Sequence, residues 1–162
     1  MTVLLILFGL SCSGKNFVGE ILAREFNYYH WDADLDMPES MREQILKKEF
    51  FTQDMRDHFT KIIINKIAEL KNYHSNLVVT QALYKEKNRE QIALAYPEAK
   101  FIQIKATQEN IMRRLQQRND WIDQMYAKKI SLNFEPPQQI DAVILNNSDA
   151  AAVILQLAKI LD

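Results

Sequence analysis

Short apolar runs alternate with helical patterns along the chain. The run VLLILF at residues 3–8 is apolar at every position, as a strand covered on both faces would be. Apolar residues from Phe17 to Phe26 then share one helical stripe. Strands are predicted at 3–8, 28–34, 76–80, 101–105 and 141–146. Further helices are predicted at 38–49, 53–72, 86–95 and 108–118, and a last helix is predicted to be capped by Ser148.

This alternation predicts an α/β fold, because consecutive parallel strands need helical crossovers. We expect a five-stranded parallel sheet flanked by helices on both faces, in a single domain over residues 1–162. In such sheets ligands bind beyond the carboxyl ends of the strands, which indicates the segments 9–16, 32–38 and 80–85. Residues 119–139 are polar, end in Pro136 and Pro137, and are predicted to form a small irregular lid.

Overall charge and composition narrow the classes of partner. The 162 residues carry a net charge of -1, so no broad basic face is implied and we expect neither nucleic acid nor an anionic membrane as a partner. No apolar stretch approaches the roughly 20 residues that a spanning helix needs. The first apolar run is short and lacks a basic leader, and Cys12 is the single cysteine. We expect a cytoplasmic protein, monomeric or homodimeric.

The segment GLSCSGKN at residues 9–16 has the pattern G-x-x-x-x-G-K of a phosphate-binding loop. It follows an apolar strand and opens an amphipathic helix, which is the context that the motif requires. Main-chain N–H groups can then point at phosphate oxygens, and the helix N-terminus adds positive potential. A strand-to-helix turn with a surface lysine is the alternative. The predicted ATP contacts are Gly9, Ser11, Cys12, Ser13, Gly14, Lys15 and Asn16.

Asn16 stands where the motif normally has Ser or Thr, whose hydroxyl binds Mg²⁺. Mg²⁺ prefers oxygen ligands at short distances, and the amide oxygen of Asn16 could still reach it directly or through water. We therefore expect nucleotide affinity to survive this replacement better than turnover does.

The segment WDADLDMP places Asp32, Asp34 and Asp36 at the end of the second predicted strand. Residues two apart on a strand share a face, so Asp32 and Asp34 are predicted to converge on one site. One carboxylate could help to hold the metal while the other accepts the proton of an attacking hydroxyl. Solvated loop carboxylates are the alternative.

The order of these motifs resembles that of small-molecule kinases of the phosphate-loop class, most closely the gluconate kinases, with the shikimate kinases as near relatives. The segment 31–56 is similar to the gluconate-kinase order of an Asp-x-Asp, a Pro, a helix and an Asp-x-Arg. VVTQALYKEKNRE, FIQIKATQENIMRRLQQR and SLNFEPP resemble the third strand, the fourth strand with its basic helix, and the end of the lid. The likeness covers about residues 3–147.

The resemblance implies a P-loop fold of the nucleoside-monophosphate-kinase type that transfers the ATP γ-phosphate to a hydroxyl of a small metabolite. It implies Lys15 and Asp34 as catalytic residues, and Asp32 with Asn16 as residues that place Mg²⁺. Arg114 and Arg118 would lie near ATP, and a solvated basic face of their helix is the alternative. The acceptor would contact Asp34, Arg56 and Lys85.

The chain departs from the gluconate-kinase pattern mainly around the acceptor. Met37 replaces a His, Met41 replaces an Asn, and Tyr84 displaces Lys85 by one position. A carboxylate acceptor needs cations, and several of these are lost or moved. A sugar acid such as gluconate is the first interpretation. Shikimate-like activity, or nucleotide binding with weak catalysis because of Asn16, are the alternatives.

Overall fold

The computed structural model describes residues 2–118 and 124–162, so residues 119–123 of the predicted lid lie outside the described part. Within these ranges, five parallel strands form one sheet in the order β2-β3-β1-β4-β5. They are β1 Val3–Phe8, β2 Tyr29–Asp32, β3 Asn76–Thr80, β4 Lys100–Lys105 and β5 Ala142–Leu145. Because β1 is central, the loop that leaves it lies at the middle of the carboxyl edge of the sheet.

Helices cover both faces of this sheet. They are α1 Lys15–Phe26, α2 Glu39–Leu46, α3 Gln53–Leu70, α4 Glu86–Ala95, α5 Gln108–Gln117, α6 Gln124–Ser131 and α7 Ala150–Leu161. A short 3₁₀ helix, Ala33–Asp36, follows β2. No helix in the described ranges combines the length and the apolar character needed to cross a membrane.

The core has two halves, one on each side of β1. Leu4, Ile6 and Phe8 pack with α3 and α4 on one face, while Leu5 and Leu7 pack with α1 and α7 on the other. All five of these side chains are fully buried. The uninterrupted apolar run therefore has a direct cause, since a central parallel strand is covered on both faces.

The predicted sheet and most of the predicted helices are confirmed. The expectations for the lid and for the cap of the last helix are wrong. Residues 119–139 are not irregular throughout, because α6 occupies Gln124–Ser131 with Tyr126 and Ala127 buried. Ser148 does not cap the last helix. The carboxylate of Asp149 does so, accepting a hydrogen bond from the Ala152 N–H at 3.0 Å.

Arg89 of α4 ties the segment after β3 to the segment after α6. Its side chain is 5% exposed, and its guanidinium donates to the Glu86 carboxylate at 2.6 and 2.9 Å. It also donates to the carbonyl oxygens of Leu83 and Glu135, both at 2.6 Å. Removing a buried cation leaves both its carboxylate and its carbonyl partners unsatisfied.

We expect Arg89→Met to lower the free energy of unfolding by about 2–4 kcal/mol, because it breaks a buried ion pair and frees two carbonyl groups. Urea denaturation followed by circular dichroism measures this loss. The matched control is Lys87→Met on the same helix, whose partner is Asp57 and whose side chain is 57% exposed. It should cost less than about 1 kcal/mol. Equal losses in the two variants would contradict the prediction.

Candidate functional site

The glycine-rich segment 9–16 forms a tight loop between β1 and α1. Positive φ angles occur at Gly9 (147°), Cys12 (63°) and Gly14 (95°). A Cβ on Gly14 would lie 1.9 Å from the Asn146 amide nitrogen, and one on Gly9 would lie 2.4 Å from the Ile104 carbonyl oxygen. Only glycine fits these two positions, which lets the loop backbone curve into a concave surface of main-chain groups.

Two side chains hold the loop from outside through its carbonyl groups. Arg114 of α5 donates to the Cys12 oxygen at 3.0 Å and the Ser13 oxygen at 3.3 Å. The side-chain amide of Asn146, which is 3% exposed, donates to the same Ser13 oxygen at 3.0 Å. Arg114 also donates to the main-chain oxygen of Asn146 at 2.7 Å. The carbonyl oxygens of Cys12 and Ser13 are thus occupied by hydrogen bonds from Arg114 and Asn146.

The Ser13 hydroxyl belongs to this loop, and its hydrogen bonding is unusual. It is buried, and among the described residues it is the one buried side-chain oxygen or nitrogen that has no hydrogen-bond partner. Buried polar groups are normally paired, and an unpaired one marks strain or a site for a ligand. Together with the backbone geometry, this hydroxyl fits a loop that holds an anionic group such as a phosphate.

Lys15 places its ammonium group at the loop. The Nζ atom donates to the carbonyl oxygens of Gly9 at 3.1 Å and Leu10 at 2.9 Å. Burial lowers the pKa of Lys15 to about 8, and the nearby cation Arg118 acts in the same direction. The opposing influences, which raise the pKa, are the charges of Asp34, Cys12 and Asp32. Lys15 therefore carries its positive charge at neutral pH and begins to lose it in mildly alkaline solution.

Asp32 and Asp34 line the same cavity, but they do not lie on one face of a strand. Asp32 ends β2, whereas Asp34 belongs to the 3₁₀ helix that follows. The predicted reason, alternation along a strand, is therefore wrong, because the chain turns directly after Asp32. The turn is fixed by Asp32 Oδ1, which accepts from the Asp34 N–H at 3.0 Å. Both carboxylates line the same cavity all the same.

Asp34 is held by a residue of the neighbouring strand end. Its Oδ1 accepts from the Gln81 side-chain amide at 3.1 Å, and Gln81 in turn accepts from the Leu83 N–H at 2.6 Å. Although Asp34 faces the open cleft, the surrounding walls displace water and raise the pKa of its carboxyl. The adjacent Asp32 raises it further, while Gln81, Lys15 and Arg42 oppose the shift. A raised pKa makes a carboxylate a better proton acceptor near neutral pH.

Asn16 joins the two strand ends that flank the cavity. Its side-chain N–H donates to Asp32 Oδ2 at 3.0 Å, and its amide oxygen accepts from the Thr80 hydroxyl at 2.6 Å. Thr80 also contacts His30 Nε2 at 2.9 Å. The residue that replaces the usual Ser or Thr of the motif therefore spans the distance between β2 and β3 through its longer amide.

The oxygen atoms around Asn16 fit Mg²⁺ in type. Asp32, Asn16 and Thr80 offer carboxylate, amide and hydroxyl oxygens, which are the ligands that this ion prefers. No group of three or more His, Cys, Asp or Glu residues in the described ranges could hold a metal by itself. Mg²⁺ is commonly held by one or two carboxylates together with phosphate oxygens and water, so the sparse protein set is compatible with it.

A cavity of about 280 Å³ opens between the loop, the acidic turn, α2 and α3. The structure brings six of the residues singled out from the sequence to this cavity: Ser11, Asn16, Asp32, Asp34, Arg56 and Arg118. Lys85 is not among the lining residues, and its Nζ lies 3.7 Å from the Glu135 carboxylate. Arg114 lies behind the loop and contacts its carbonyl groups. Arg118 donates to Cys12 Sγ at 3.2 Å.

Sequence reasoning missed four residues that shape the site. Thr80 ends β3 and Gln81 follows it, the Tyr84 hydroxyl accepts from the Ser11 N–H at 3.3 Å, and Asn146 follows β5. Their common signal is a polar side chain at or just beyond the end of a parallel strand. The predicted ligand segment 80–85 included three of them without assigning a role to any.

The parallel sheet and the glycine-rich loop between β1 and α1 define a P-loop protein with the kinase type of fold. The family model described as an AAA domain (AAA_18) matches residues 5–145, and the chain belongs to this family. No curated protein matches the chain in sequence.

Solved structures with this fold are similar over nearly the whole chain. A sugar kinase from Janibacter sp. HTCC2649 has a TM-score of 0.87 at 16% identity, covering 100% of this chain and 95% of that one. A gluconokinase from Sinorhizobium meliloti 1021 has a TM-score of 0.82 at 18% identity, covering 98% and 91%. The APS kinase of Mycobacterium tuberculosis, solved with AMPPNP and APS, has a TM-score of 0.71 at 15% identity, covering 99% and 97%. The TM-scores establish a shared fold, and identities this low establish nothing beyond the fold.

Proposed function

We propose that the protein is an ATP-dependent phosphotransferase that transfers the γ-phosphoryl group to a hydroxyl of a small metabolite. The observation that carries this proposal is the opening of the phosphate-binding loop and the Asp34 carboxylate onto one cavity. A phosphate-binding loop and a carboxylate on a shared cavity are what transfer to a hydroxyl requires. Similarity of fold to a sugar kinase and a gluconokinase supports the same reaction class.

In this reaction the loop amides and the Lys15 ammonium bind the β- and γ-phosphates. The acceptor hydroxyl lies beside Asp34, whose carboxylate takes its proton as the new P–O bond forms. The bond from the γ-phosphorus to the β,γ-bridging oxygen breaks, and ADP leaves with that oxygen. Arg118, at the mouth of the loop, adds positive charge near the transferring group.

Asp32 and Asn16 would hold Mg²⁺ with the nucleotide. When bound, the ion neutralises charge on the phosphate oxygens. Asp32 retains oxygen lone pairs beyond its two hydrogen bonds, which come from the Asp34 N–H and the Asn16 side chain. The bond from Asn16 keeps the Asp32 carboxylate oriented towards the loop.

The direct test is acceptor-dependent release of ADP. We expect ADP formation from Mg·ATP to rise above the acceptor-free background with at least one small hydroxylated acid. A sugar acid is the acceptor class that the sequence resemblance favours, with a shikimate-like acid as the alternative. Binding of AMPPNP without any acceptor-dependent ADP release, with either Mg²⁺ or Mn²⁺, would contradict the proposal.

A second candidate function is nucleotide binding without turnover. It is favoured by one observation: the side-chain N–H of Asn16, not a hydroxyl, faces Asp32 at 3.0 Å and occupies one oxygen of that carboxylate. A protein of this kind would bind ATP with little dependence on Mg²⁺. The substitution Asn16→Ser separates the two candidates.

Under the kinase proposal we expect Asn16→Ser to keep kcat within about tenfold of the natural chain. Serine is too short to bridge Asp32 and Thr80, so it frees the carboxylate and supplies the usual hydroxyl. The Mg²⁺ concentration that gives half-maximal ADP release should therefore fall. Titration of activity with MgCl₂ measures this shift, and Asn65→Ser on the exposed face of α3 is the matched control. Activity in the variant alone would favour the second candidate.

A further inference from the structure

The wall of the cavity away from the loop is apolar. It is formed by six side chains from α2, α3 and the residues beside these helices, here called the apolar wall: Met37, Met41, Ile45, Phe51, Phe59 and Ile63. Met41, Ile45, Phe59 and Ile63 are each at most 6% exposed, and all but Ile45 belong to the core cluster on this face of the sheet. The wall is therefore a fixed surface of hydrocarbon and aromatic rings.

The polar residues nearest the loop lie at the ends of strands, while Thr60 of α3 and Asn88 of α4 are further polar residues that line the cavity. Asp34, Gln81 and Asn16 come from the strand ends beside the loop. An acceptor hydroxyl placed at Asp34 would therefore point away from the apolar wall, and the remainder of the acceptor would extend along it. Hydroxyl groups pressed against such a wall would lose hydrogen bonds to water without gaining partners, which is unfavourable.

Arg56 supplies the cation that faces this part of the cavity. Its guanidinium lies 5.4 Å from the centre of the Phe51 ring and makes no hydrogen bond or ion pair with any other residue of 2–118 and 124–162. Burial lowers the pKa of Arg56, although it stays a cation at neutral pH. Tyr84, Tyr126 and Glu135 oppose this lowering, but no ion pair or hydrogen bond joins Glu135 to the guanidinium, whose donors can therefore bind one carboxylate.

The other cations near this region are engaged by the protein. Arg42 donates to the carbonyl oxygens of Met37 and Asp34 at 3.2 and 2.8 Å. Lys85 pairs with Glu135. Arg118 also lines the cavity and donates to Cys12 Sγ at 3.2 Å. The cavity thus combines the Asp32 and Asp34 carboxylates, the Arg56 guanidinium and a broad apolar wall.

We infer that the acceptor is a hydroxy acid whose body is apolar, either branched aliphatic or aromatic, with few hydroxyl groups beyond the one that is phosphorylated. This inference rests on the proposed function and narrows its acceptor class. It departs from the polyhydroxylated sugar acid that the sequence resemblance favours. The cause is the chemistry of the wall, since Met37 and Met41 offer a polyol no donor and only a weakly accepting sulfur.

Isothermal titration with a series of acids of equal charge tests the inference. Lactate, 2-hydroxyisocaproate and 3-phenyllactate increase in apolar area, whereas glycerate and gluconate increase in hydroxyl count. In the presence of AMPPNP and Mg²⁺, we expect 3-phenyllactate or 2-hydroxyisocaproate to bind at least tenfold more tightly than gluconate, because each added methylene gains affinity in an apolar pocket. Gluconate binding as tightly as these acids, or no binding by any of them, would overturn the inference.

Variants of the apolar wall and of Arg56 show which side chains determine the affinity for these acids. Met41→Asn should weaken the apolar acids at least tenfold without weakening gluconate, and Met37→Asn, at a less buried position, repeats the test if the first variant fails to fold. Arg56→Met should weaken every acid in the series. The control is Met125→Asn at a side chain that is 84% exposed on α6, and it should change nothing.

The outcomes separate this inference from the proposed function. AMPPNP binding and ADP release with gluconate as the best acceptor would overturn the apolar class and leave the kinase proposal intact. Tight binding of 3-phenyllactate that Met41→Asn weakens, without ADP release for any acid, would support the apolar cavity and count against transfer. Equal responses of Met41→Asn and Met125→Asn would remove the wall as the cause and overturn the inference.

Discussion

Lys15→Ala is expected to lower kcat/KM for ATP-dependent phosphoryl transfer on the order of 10³-fold. The ammonium group is the one charged side chain that the loop motif itself supplies to the phosphates. Charge on the transferring group grows in the transition state, so a nearby cation stabilises that state more than the bound substrate. Coupled ADP release at saturating acceptor measures the loss.

Folding effects can be separated from this loss of catalysis. Lys15 also donates to the Gly9 and Leu10 carbonyls, so thermal unfolding of the variant is measured alongside activity. Lys159→Ala on the exposed side of α7 is the control and should keep full activity. Since the pKa of Lys15 is about 8, ATP affinity of the natural chain should also fall as pH rises through this value. Retained turnover in folded Lys15→Ala would contradict the role of the ammonium.

The core strands could be predicted from the sequence because their signal is local. VLLILF is apolar at every position, and only a strand covered on both faces needs that pattern. The predicted lid, residues 119–139, has no comparable pattern of apolar positions. Helix α6 is short and polar, and its Tyr126 hydroxyl donates to the Glu49 oxygen at 2.7 Å, a contact between residues far apart in the chain. Its helical state depends on tertiary contacts that no window of the sequence contains.

The local sequence also could not show which of two adjacent residues caps the last helix. Ser148 and Asp149 can both accept a hydrogen bond from a helix N-terminus, and the backbone extends at Asp149, which makes the bond. Arg114 illustrates the same limit within the site. The sequence indicated a basic helix near the nucleotide, but the guanidinium of Arg114 contacts the loop carbonyls and the main-chain oxygen of Asn146, which follows β5. This direction depends on tertiary contacts that the sequence of α5 does not contain.

The loop motif was recognisable because glycine spacing and lysine position are fixed within one short segment. The residues at other strand ends that contact Asn16 and Asp34 could not be recognised in this way. Thr80 and Gln81 meet Asn16 and Asp34 only because β3 lies between β2 and β1 in the sheet. Strand order is a property of the whole chain, so these polar residues carry no distinguishing pattern in sequence. The general rule that ligands bind at carboxyl strand ends identified the segment without identifying the contacts.

Asp34→Asn is expected to lower kcat by about 10²–10⁴-fold while KM for ATP stays within a few-fold of the natural value. The substitution keeps the shape of the side chain and a hydrogen bond to Gln81, and it removes the ability to accept a proton. Because the walls of the cleft raise the pKa of Asp34, activity of the natural chain should fall on acidification through that pKa. Protonation of Asp34 removes the base, so the variant should lose this decrease of activity at acidic pH.

The matched control is Asp36→Asn, two residues on, whose carboxylate accepts from the Trp31 indole N–H at 3.0 Å. It should retain kcat and the pH profile, since its partner lies in the core and not in the cavity. An Asp34→Asn variant with normal kcat would show that the acceptor hydroxyl loses its proton without this carboxylate.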